Sequence, residues 1–250
     1  EMLDFCPKCK TNNIDKQTND NMTWLPVKTQ LFNFLIGFIG LNIIVVIFTV
    51  ILSSLYSKDE VVAMALINAF SYLATFIALL FLNYRNGIKE YFIIHFKDKS
   101  SYFYGVIGGI VIILVGYILS LIASIPFPND TSGNQVAAIN MVNRLPIVSI
   151  FILGIMGPIV EELAYRVGLF NLLCHTKIWI AYLLEAVFFA LLHFDFTGNL
   201  LLELINLPSY LFAGLALSYI YKKYGLGASI TAHIINNVFS ILGIIIAINV

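Results

Sequence analysis

The chain has 250 residues, of which 60% are hydrophobic and only 11% are charged, whereas an average soluble domain is about one quarter charged. Its 14 basic and 14 acidic residues cancel, so the net charge gives no indication of binding to nucleic acid or another polyanion. This composition excludes an ordinary soluble domain and predicts a polytopic membrane protein.

A polar tail fills residues 1–30 and contains a single Cys-x-x-Cys motif, at Cys6 and Cys9. Such a motif is half of a zinc ribbon, and the second ligand pair expected about 15–20 residues later does not follow. One interpretation is a four-ligand site completed by Cys174 and His175. The plainer interpretation, which we favour, is a degenerate motif or two reduced cytosolic thiols.

Seven apolar runs follow, each long enough to cross a hydrocarbon core of about 30 Å, which takes about 20 helical residues. They fill residues 31–55, 61–82, 103–125, 146–173, 178–194, 200–221 and 226–248. If the N-terminus is cytoplasmic, eleven of the fourteen Lys and Arg residues fall in cytoplasmic segments, as the positive-inside rule requires. We therefore predict an all-α bundle with about seven spans, an N-terminus in the cytoplasm, and a first group of membrane helices over residues 31–125.

Three charged residues interrupt the fourth apolar run: Glu161, Glu162 and Arg166. Each costs about 2.5 kcal/mol or more at membrane depth, so the default interpretation is a functional site facing the bundle interior. Adjacent helical residues point in directions about 100° apart, whereas residues one turn apart meet. Glu162 and Arg166 are thus expected to pair, which leaves Glu161 for chemistry. The alternative is a structural Glu–Arg clamp with a protonated Glu161.

Two histidines lie in later apolar runs. His193 follows Phe189 by four residues near the end of the fifth run, and His233 precedes Asn237 by four residues in the last run. Histidine and glutamate together supply either metal ligands or an acid–base pair that activates water. Glu185, eight residues before His193, is expected to tune that histidine, to pair with Arg166, or simply to be buried and protonated.

In this order, Glu161-Glu162-x-x-x-Arg166, Phe189-x-x-x-His193 and His233-x-x-x-Asn237 resemble the three motifs of the CPBP family. This family, also called Abi or CAAX-protease-like, includes the eukaryotic CAAX prenyl endopeptidase and bacterial membrane proteins, some of them linked to bacteriocin self-immunity. The resemblance covers roughly residues 145–245, and it makes residues 126–250 the expected catalytic core.

The resemblance implies an intramembrane endopeptidase in which Glu161 and His193 activate a water molecule for attack on a peptide bond. His233 and Asn237 would stabilise the oxyanion. Glu162, also a candidate catalytic residue, would act with its Arg166 partner to hold the site together or to bind a terminal carboxylate of the substrate.

Metal dependence stays open from the residues alone. Family members are often labelled metalloproteases, yet a metal-free mechanism is also argued for the prenyl endopeptidase. The chain has no His-Glu-x-x-His motif, and the candidate ligands Glu161, Glu162, His193 and His233 come from three different runs. We favour a metal-free mechanism and keep zinc as the alternative cofactor.

The expected partners are the lipid bilayer and a membrane-associated peptide or protein substrate, with no nucleic acid. The Asn-, Lys- and Ile-rich sequence is compatible with a multi-pass protein of a bacterial cell membrane. Two other functions compete with the peptidase: a non-catalytic immunity or scaffold protein that uses the same polar cluster, and a small transporter in which acids and histidines relay protons. The order of the motifs favours the peptidase over the transporter.

Overall fold

The computed structural model describes residues 25–86 and 96–248, and every regular element within these two ranges is helical. This confirms the predicted all-α class. In chain order, the principal helices are α1 (Val27–Ile51), α2 (Glu60–Arg85), α3 (Lys99–Ser124), α4 (Gly133–Arg144), α5 (Pro146–Leu173), α6 (Ile178–Leu192), α7 (Leu200–Tyr224) and α8 (Leu226–Ile248). A single turn, Ser53–Tyr56, follows α1.

Six helices in the described ranges are long and apolar enough to cross a membrane: α1, α2, α3, α5, α7 and α8. The predicted fifth run corresponds to α6, which has only 15 residues. At 1.5 Å per residue it measures about 22 Å, short of a hydrocarbon core of about 30 Å. Within the described ranges, the predicted spans, about seven in number, thus correspond to six candidate spans and one shorter apolar helix.

The polar sequence after α6 explains its early end. The backbone N–H of Thr197 donates to the carboxylate of Asp195, and the side chain of Asn199 caps the first turn of α7. The chain therefore reverses direction within about seven residues, before α6 can reach the length of its neighbours.

Two glycines let α1 approach α5 closely. A Cβ atom on Gly168 would lie 2.6 Å from the backbone nitrogen of Phe34, and one on Gly37 would overlap the side chain of Ala164. Small residues at such contacts are typical of helices packed in membranes. In addition, Asn33 and Asn83 exchange amide hydrogen bonds of 3.0 and 2.9 Å between α1 and α2, so α1 is held against both α2 and α5.

The helix α5 is enclosed by the rest of the bundle. Its residues Val160, Leu163, Val167 and Phe170 are fully buried and form one core cluster with side chains from other helices. Those partners are Leu79 of α2, Ala181 of α6, Tyr221 of α7, and Leu226 and Ile230 of α8. Charged groups on α5 therefore face protein rather than lipid.

The two cysteines of the tail lie outside the described residues, so the four-ligand zinc interpretation stays a prediction. Cys174, just after α5, carries a free, half-buried thiol. Burial raises the pKa of this thiol to about 12.

Candidate active site

The helical geometry of α5 changes at the two glutamates. Glu161 ends an α-helical turn, and a π-helical segment runs from Glu162 to Phe170. A second π-helical segment, Ile150–Met156, precedes the glutamates. Such wide turns occur frequently at functional sites. The two carboxylates point in different directions, as the regular helical step of 100° predicts. The π-helical geometry of the segment that carries them was not predicted.

Glu162 lies at the centre of a fully buried ionic cluster. Its Oε1 atom is 3.1 Å from Nη1 of Arg166, which confirms the expected pairing one turn along the helix. The same oxygen is 2.8 Å from Nδ1 of His233 on α8. Because an ionised carboxylate only accepts hydrogen bonds, Nδ1 of His233 carries the proton in this contact. Glu162 thereby fixes both the ring orientation and the tautomer of His233.

Arg166 is held from a second side by α6 and α7. Its Nη2 atom is 3.6 Å from Oε1 of the buried Glu185 and 3.4 Å from the carbonyl oxygen of Gly214. Glu185 in turn accepts a hydrogen bond from the hydroxyl of Ser218. The guanidinium also lies over the ring of Phe189, 4.8 Å from its centroid. Of the three alternatives for Glu185, the structure shows the pairing with Arg166, and it also shows that Glu185 is fully buried.

Glu161 has a different environment from its neighbour. Its side chain is 14% exposed, whereas that of Glu162 is fully buried. Oε1 accepts a hydrogen bond of 3.3 Å from the hydroxyl of Tyr72 on α2. Oε2 is buried without a hydrogen-bond partner among the described residues, and lies 3.7 Å from Nε2 of His233. Oε2 of Glu162 also lacks a hydrogen-bond partner among the described residues, so the two glutamates differ in their exposure and in the contact of Glu162 with Arg166.

The buried charges of this cluster do not balance if all carboxyl groups are ionised. Glu161, Glu162 and Glu185 would bring three negative charges against the single positive charge of Arg166. Uncompensated charge is costly in a buried environment. Neutrality of the cluster would therefore require two further protons, on His233 or on the carboxyl groups.

His193 caps α6 with a defined ring orientation. Its Nδ1 atom is 2.8 Å from the carbonyl oxygen of Phe189, and since a carbonyl only accepts, Nδ1 carries the hydrogen. Nε2 is left as an acceptor. The ring stacks on Tyr210 and contacts Phe189, with centroid distances of 4.8 and 4.7 Å. Phe189 also contacts His233, at 5.9 Å, so the two histidines flank one phenylalanine.

Asn237 is bound to the backbone of α5 rather than to the carboxylates. Its amide nitrogen donates to the carbonyl oxygen of Leu153 at 3.0 Å. The backbone N–H of Gly157 donates to the carbonyl oxygen of Ile152. The next residue, Pro158, has no N–H that could donate to Leu153. The side chain of Asn237 therefore supplies a donor that the helix lacks at this point.

Residues 143–239 match the family model described as type II CAAX prenyl endopeptidase Rce1-like. Over this segment the chain is similar to the Rce1-like family. No curated protein and no solved structure gives a match. The Rce1-like segment contains all six residues singled out from the motifs: Glu161, Glu162, Arg166, His193, His233 and Asn237. The family is one of prenyl endopeptidases, which relates the segment to membrane peptidases.

The structure joins four of these six residues in one cluster, namely Glu161, Glu162, Arg166 and His233. His193 adjoins the cluster through Phe189, and Asn237 contacts the π-helical start of α5. Sequence reasoning missed Tyr72, which lies 89 residues before its partner and outside the Rce1-like segment. No motif or periodicity marks that tyrosine.

Among the described residues, no group of three or more His, Cys, Asp or Glu side chains could hold a metal ion as they lie. The candidate ligand His233 is engaged by Glu162 through Nδ1, which leaves only Nε2 for another partner. The metal-free mechanism stays a prediction for a chelator experiment.

Proposed function

We propose that this protein is an intramembrane endopeptidase that cleaves a membrane-associated protein or peptide with water activated by Glu161 and His193. The observation that carries the proposal is that the adjacent glutamates, Glu161 and Glu162, have different partners. Glu162 is fixed by Arg166 and His233 at 3.1 and 2.8 Å, whereas partly exposed Glu161 accepts a 3.3 Å hydrogen bond from Tyr72 and lies 3.7 Å from His233. A largely buried carboxylate that lies near two histidines and is not paired with an arginine is suited to general base catalysis.

In the proposed reaction, the oxygen of a water molecule attacks the carbonyl carbon of the peptide bond. The proton that the water loses passes to Oε2 of Glu161 or to Nε2 of His193, both of which are acceptors. As the C–N bond breaks, the same proton is returned to the leaving nitrogen to give a free amine. Enclosure of α5 by the bundle supports this role, because electrostatic effects are stronger where water is excluded.

His233 is the proposed donor to the oxyanion that forms on the carbonyl oxygen. With Nδ1 donating to Glu162, a protonated ring presents its second N–H at Nε2. The side-chain amide nitrogen of Asn237 carries two hydrogens, and one of them is donated in the hydrogen bond to the carbonyl oxygen of Leu153. The second is the donor that we assign to the same oxyanion. Pre-oriented donors of this kind are usually a large part of transition-state stabilisation.

Of the two roles implied for Arg166, we infer that it holds the site together and does not bind a substrate carboxylate. Its guanidinium is fully buried, and it already contacts Glu162, Glu185 and the carbonyl oxygen of Gly214. A substrate carboxylate would have to displace a buried partner. Recognition of a free C-terminus by this residue is therefore not part of the proposal.

A second candidate function is supported by the same clamp. Glu162, Arg166, Glu185 and His233 connect α5, α6 and α8, and Ser218 extends the connection to α7. Such a network would also suit a non-catalytic membrane scaffold or immunity protein, in which the cluster only fixes the bundle. This function requires no cleavage, which separates it from the first.

The test is cleavage of a panel of membrane-associated peptides by the purified protein in nanodiscs. Wild type is compared with Glu161→Ala and His193→Ala, each with and without a chelator. The proposal expects cleavage by wild type and its loss in both variants, and the chelator decides metal dependence. Absence of cleavage by wild type, together with unchanged peptide binding by both variants, would favour the scaffold.

A further inference from the structure

Tyr72 reaches the candidate active site from the half of the chain that lies outside the Rce1-like segment. It sits in the middle of α2, and its hydroxyl donates to Oε1 of Glu161 at 3.3 Å. Its ring packs against two core clusters and lies close to Gly157, where an added Cβ would be 3.7 Å from Cε1. The side chain is therefore held by packing, and its hydroxyl is aimed at one carboxylate.

This hydrogen bond restrains a carboxylate that has few other restraints. Oε1 of Glu161 is bound by Tyr72, whereas Oε2 has no hydrogen-bond partner among the described residues. Fixing one oxygen of a planar carboxylate also fixes the direction of the other. Here Oε2 is directed to the side of His233, 3.7 Å from Nε2. A catalytic group has to be held in place by such supporting contacts.

A packing role for the ring alone would not require the hydroxyl. Burying a hydroxyl without a partner is costly, so phenylalanine would serve better at a purely apolar position. Among the described residues, the buried hydroxyls of Ser71 and Thr75 on the same helix have no hydrogen-bond partner, whereas the hydroxyl of Tyr72 donates to Glu161. A polar atom at position 72 is therefore best explained by its contact with Glu161.

We propose that Tyr72 is a positioning residue for the peptidase reaction, which orients Glu161 so that Oε2 faces the attacking water. This proposal rests on the function proposed above. It makes α2 part of the catalytic machinery, so residues 143–239 alone do not form the complete site.

The test compares Tyr72→Phe with Tyr117→Phe in the full chain, in nanodiscs, with any peptide that wild type cleaves. Tyr117 is 65% exposed on α3 and serves as the matched control. A hydrogen bond to a charged group is typically strong enough that we expect Tyr72→Phe to lower kcat by about ten- to a hundredfold. KM and the thermal midpoint should stay near those of wild type, and Tyr117→Phe should cleave normally.

A second variant distinguishes loss of the hydrogen bond between Tyr72 and Glu161 from a general disturbance of the fold. Glu161→Asp shortens the side chain by one methylene and withdraws the carboxylate from the hydroxyl. If Tyr72 acts through this contact, then adding Tyr72→Phe to Glu161→Asp has no further effect on kcat. The proposal would be overturned if the double variant lowered kcat by the product of the factors measured for the two single variants.

The outcomes also separate this proposal from the function on which it rests. If wild type cleaves, Glu161→Ala is inactive and Tyr72→Phe has full activity, then the positioning role is wrong and the peptidase stands. A parallel loss of kcat and thermal midpoint in Tyr72→Phe would likewise reduce Tyr72 to a packing residue. If wild type cleaves no peptide, both proposals fail together.

Discussion

The helices α1 and α5 are both apolar and similar in length, with 25 and 28 residues, yet their surroundings differ sharply. In the most apolar 18-residue window of each helix, 6% of the residues of α1 are buried, against 50% for α5. The outer helix presents its apolar side chains to lipid. The enclosed helix can carry Glu161, Glu162 and Arg166 because other helices supply their partners. Burial by protein, rather than apolarity, is what allows charge at this depth.

The largest effect is expected when the enclosed charge loses its counter-ion. Arg166→Ala would leave Glu185 buried without a cation and Glu162 with His233 as its remaining partner. Breaking a buried ion pair by removing one partner typically costs about 3–5 kcal/mol. We expect a large fall in the thermal midpoint of the detergent-solubilised protein, measured by thermal unfolding, together with loss of any cleavage.

Arg144→Ala provides the matched control for that variant. Arg144 pairs with Asp59 at 3.6 Å, but its side chain is 59% exposed. Exposed pairs contribute about 0–1 kcal/mol, so the thermal midpoint should change little. Equal losses in the two arginine variants would show that burial of the cluster does not matter to stability.

A smaller loss of stability is expected when α1 and α5 are pushed apart. Gly168→Ala would place a Cβ atom 2.6 Å from the backbone nitrogen of Phe34, which cannot move as a side chain could. Overpacking of this kind typically costs about 1–3 kcal/mol. Thermal unfolding should therefore detect a loss of stability, and cleavage should fall as α5 shifts.

Gly116→Ala is the control for the packing variant, since no atom lies within 4 Å of a Cβ added there. Alanine is a better helix former than glycine by up to about 1 kcal/mol, so this variant should be neutral or slightly more stable. If Gly168→Ala behaves in the same way, then α1 and α5 do not approach as closely as described.

The smallest effect concerns a helix start outside the membrane. The carboxylate of Asp98 accepts hydrogen bonds from the backbone N–H and hydroxyl of Ser100, at 2.9 and 2.7 Å, and these hold the pKa of Asp98 below its usual value. Replacing an N-cap residue by alanine costs about 1 kcal/mol. We expect Asp98→Ala to show a small loss of stability at neutral pH.

The pH dependence of that loss follows from the direction of the pKa shift. A carboxylate whose pKa is lowered on folding stabilises the protein above its unfolded pKa of about 3.9, and the stabilisation is lost as the pH falls through the lower folded value. Wild type and Asp98→Ala should therefore converge in thermal midpoint below about pH 4.

Local patterns in the sequence predicted much of the fold and part of the site. The apolar run 146–173 coincides with α5, Pro146–Leu173, because membrane spans are recognised from hydrophobicity and length alone. The ion pair of Glu162 with Arg166 follows from helical spacing, and its 3.1 Å contact bears this out. Both features depend on residues that are close in the chain.

Features that depend on packing between distant residues were not accessible in this way. The contact of Tyr72 with Glu161 spans 89 residues, and that of His233 with Glu162 spans 71. Pro158 lacks a backbone N–H, and the side chain of Asn237 donates to the carbonyl oxygen of Leu153 across 84 residues. Periodicity within one helix carries no information on which helix supplies a partner.

The most direct test of the account compares Glu161→Gln with Glu162→Gln, by measuring peptide cleavage and thermal unfolding on the same nanodisc samples. Both changes keep the size of the side chain and remove its charge. We predict that Glu161→Gln abolishes cleavage with a thermal midpoint near that of wild type, whereas Glu162→Gln lowers the midpoint because Arg166 and His233 lose their shared partner. Wild-type rates of cleavage in Glu161→Gln would contradict this prediction.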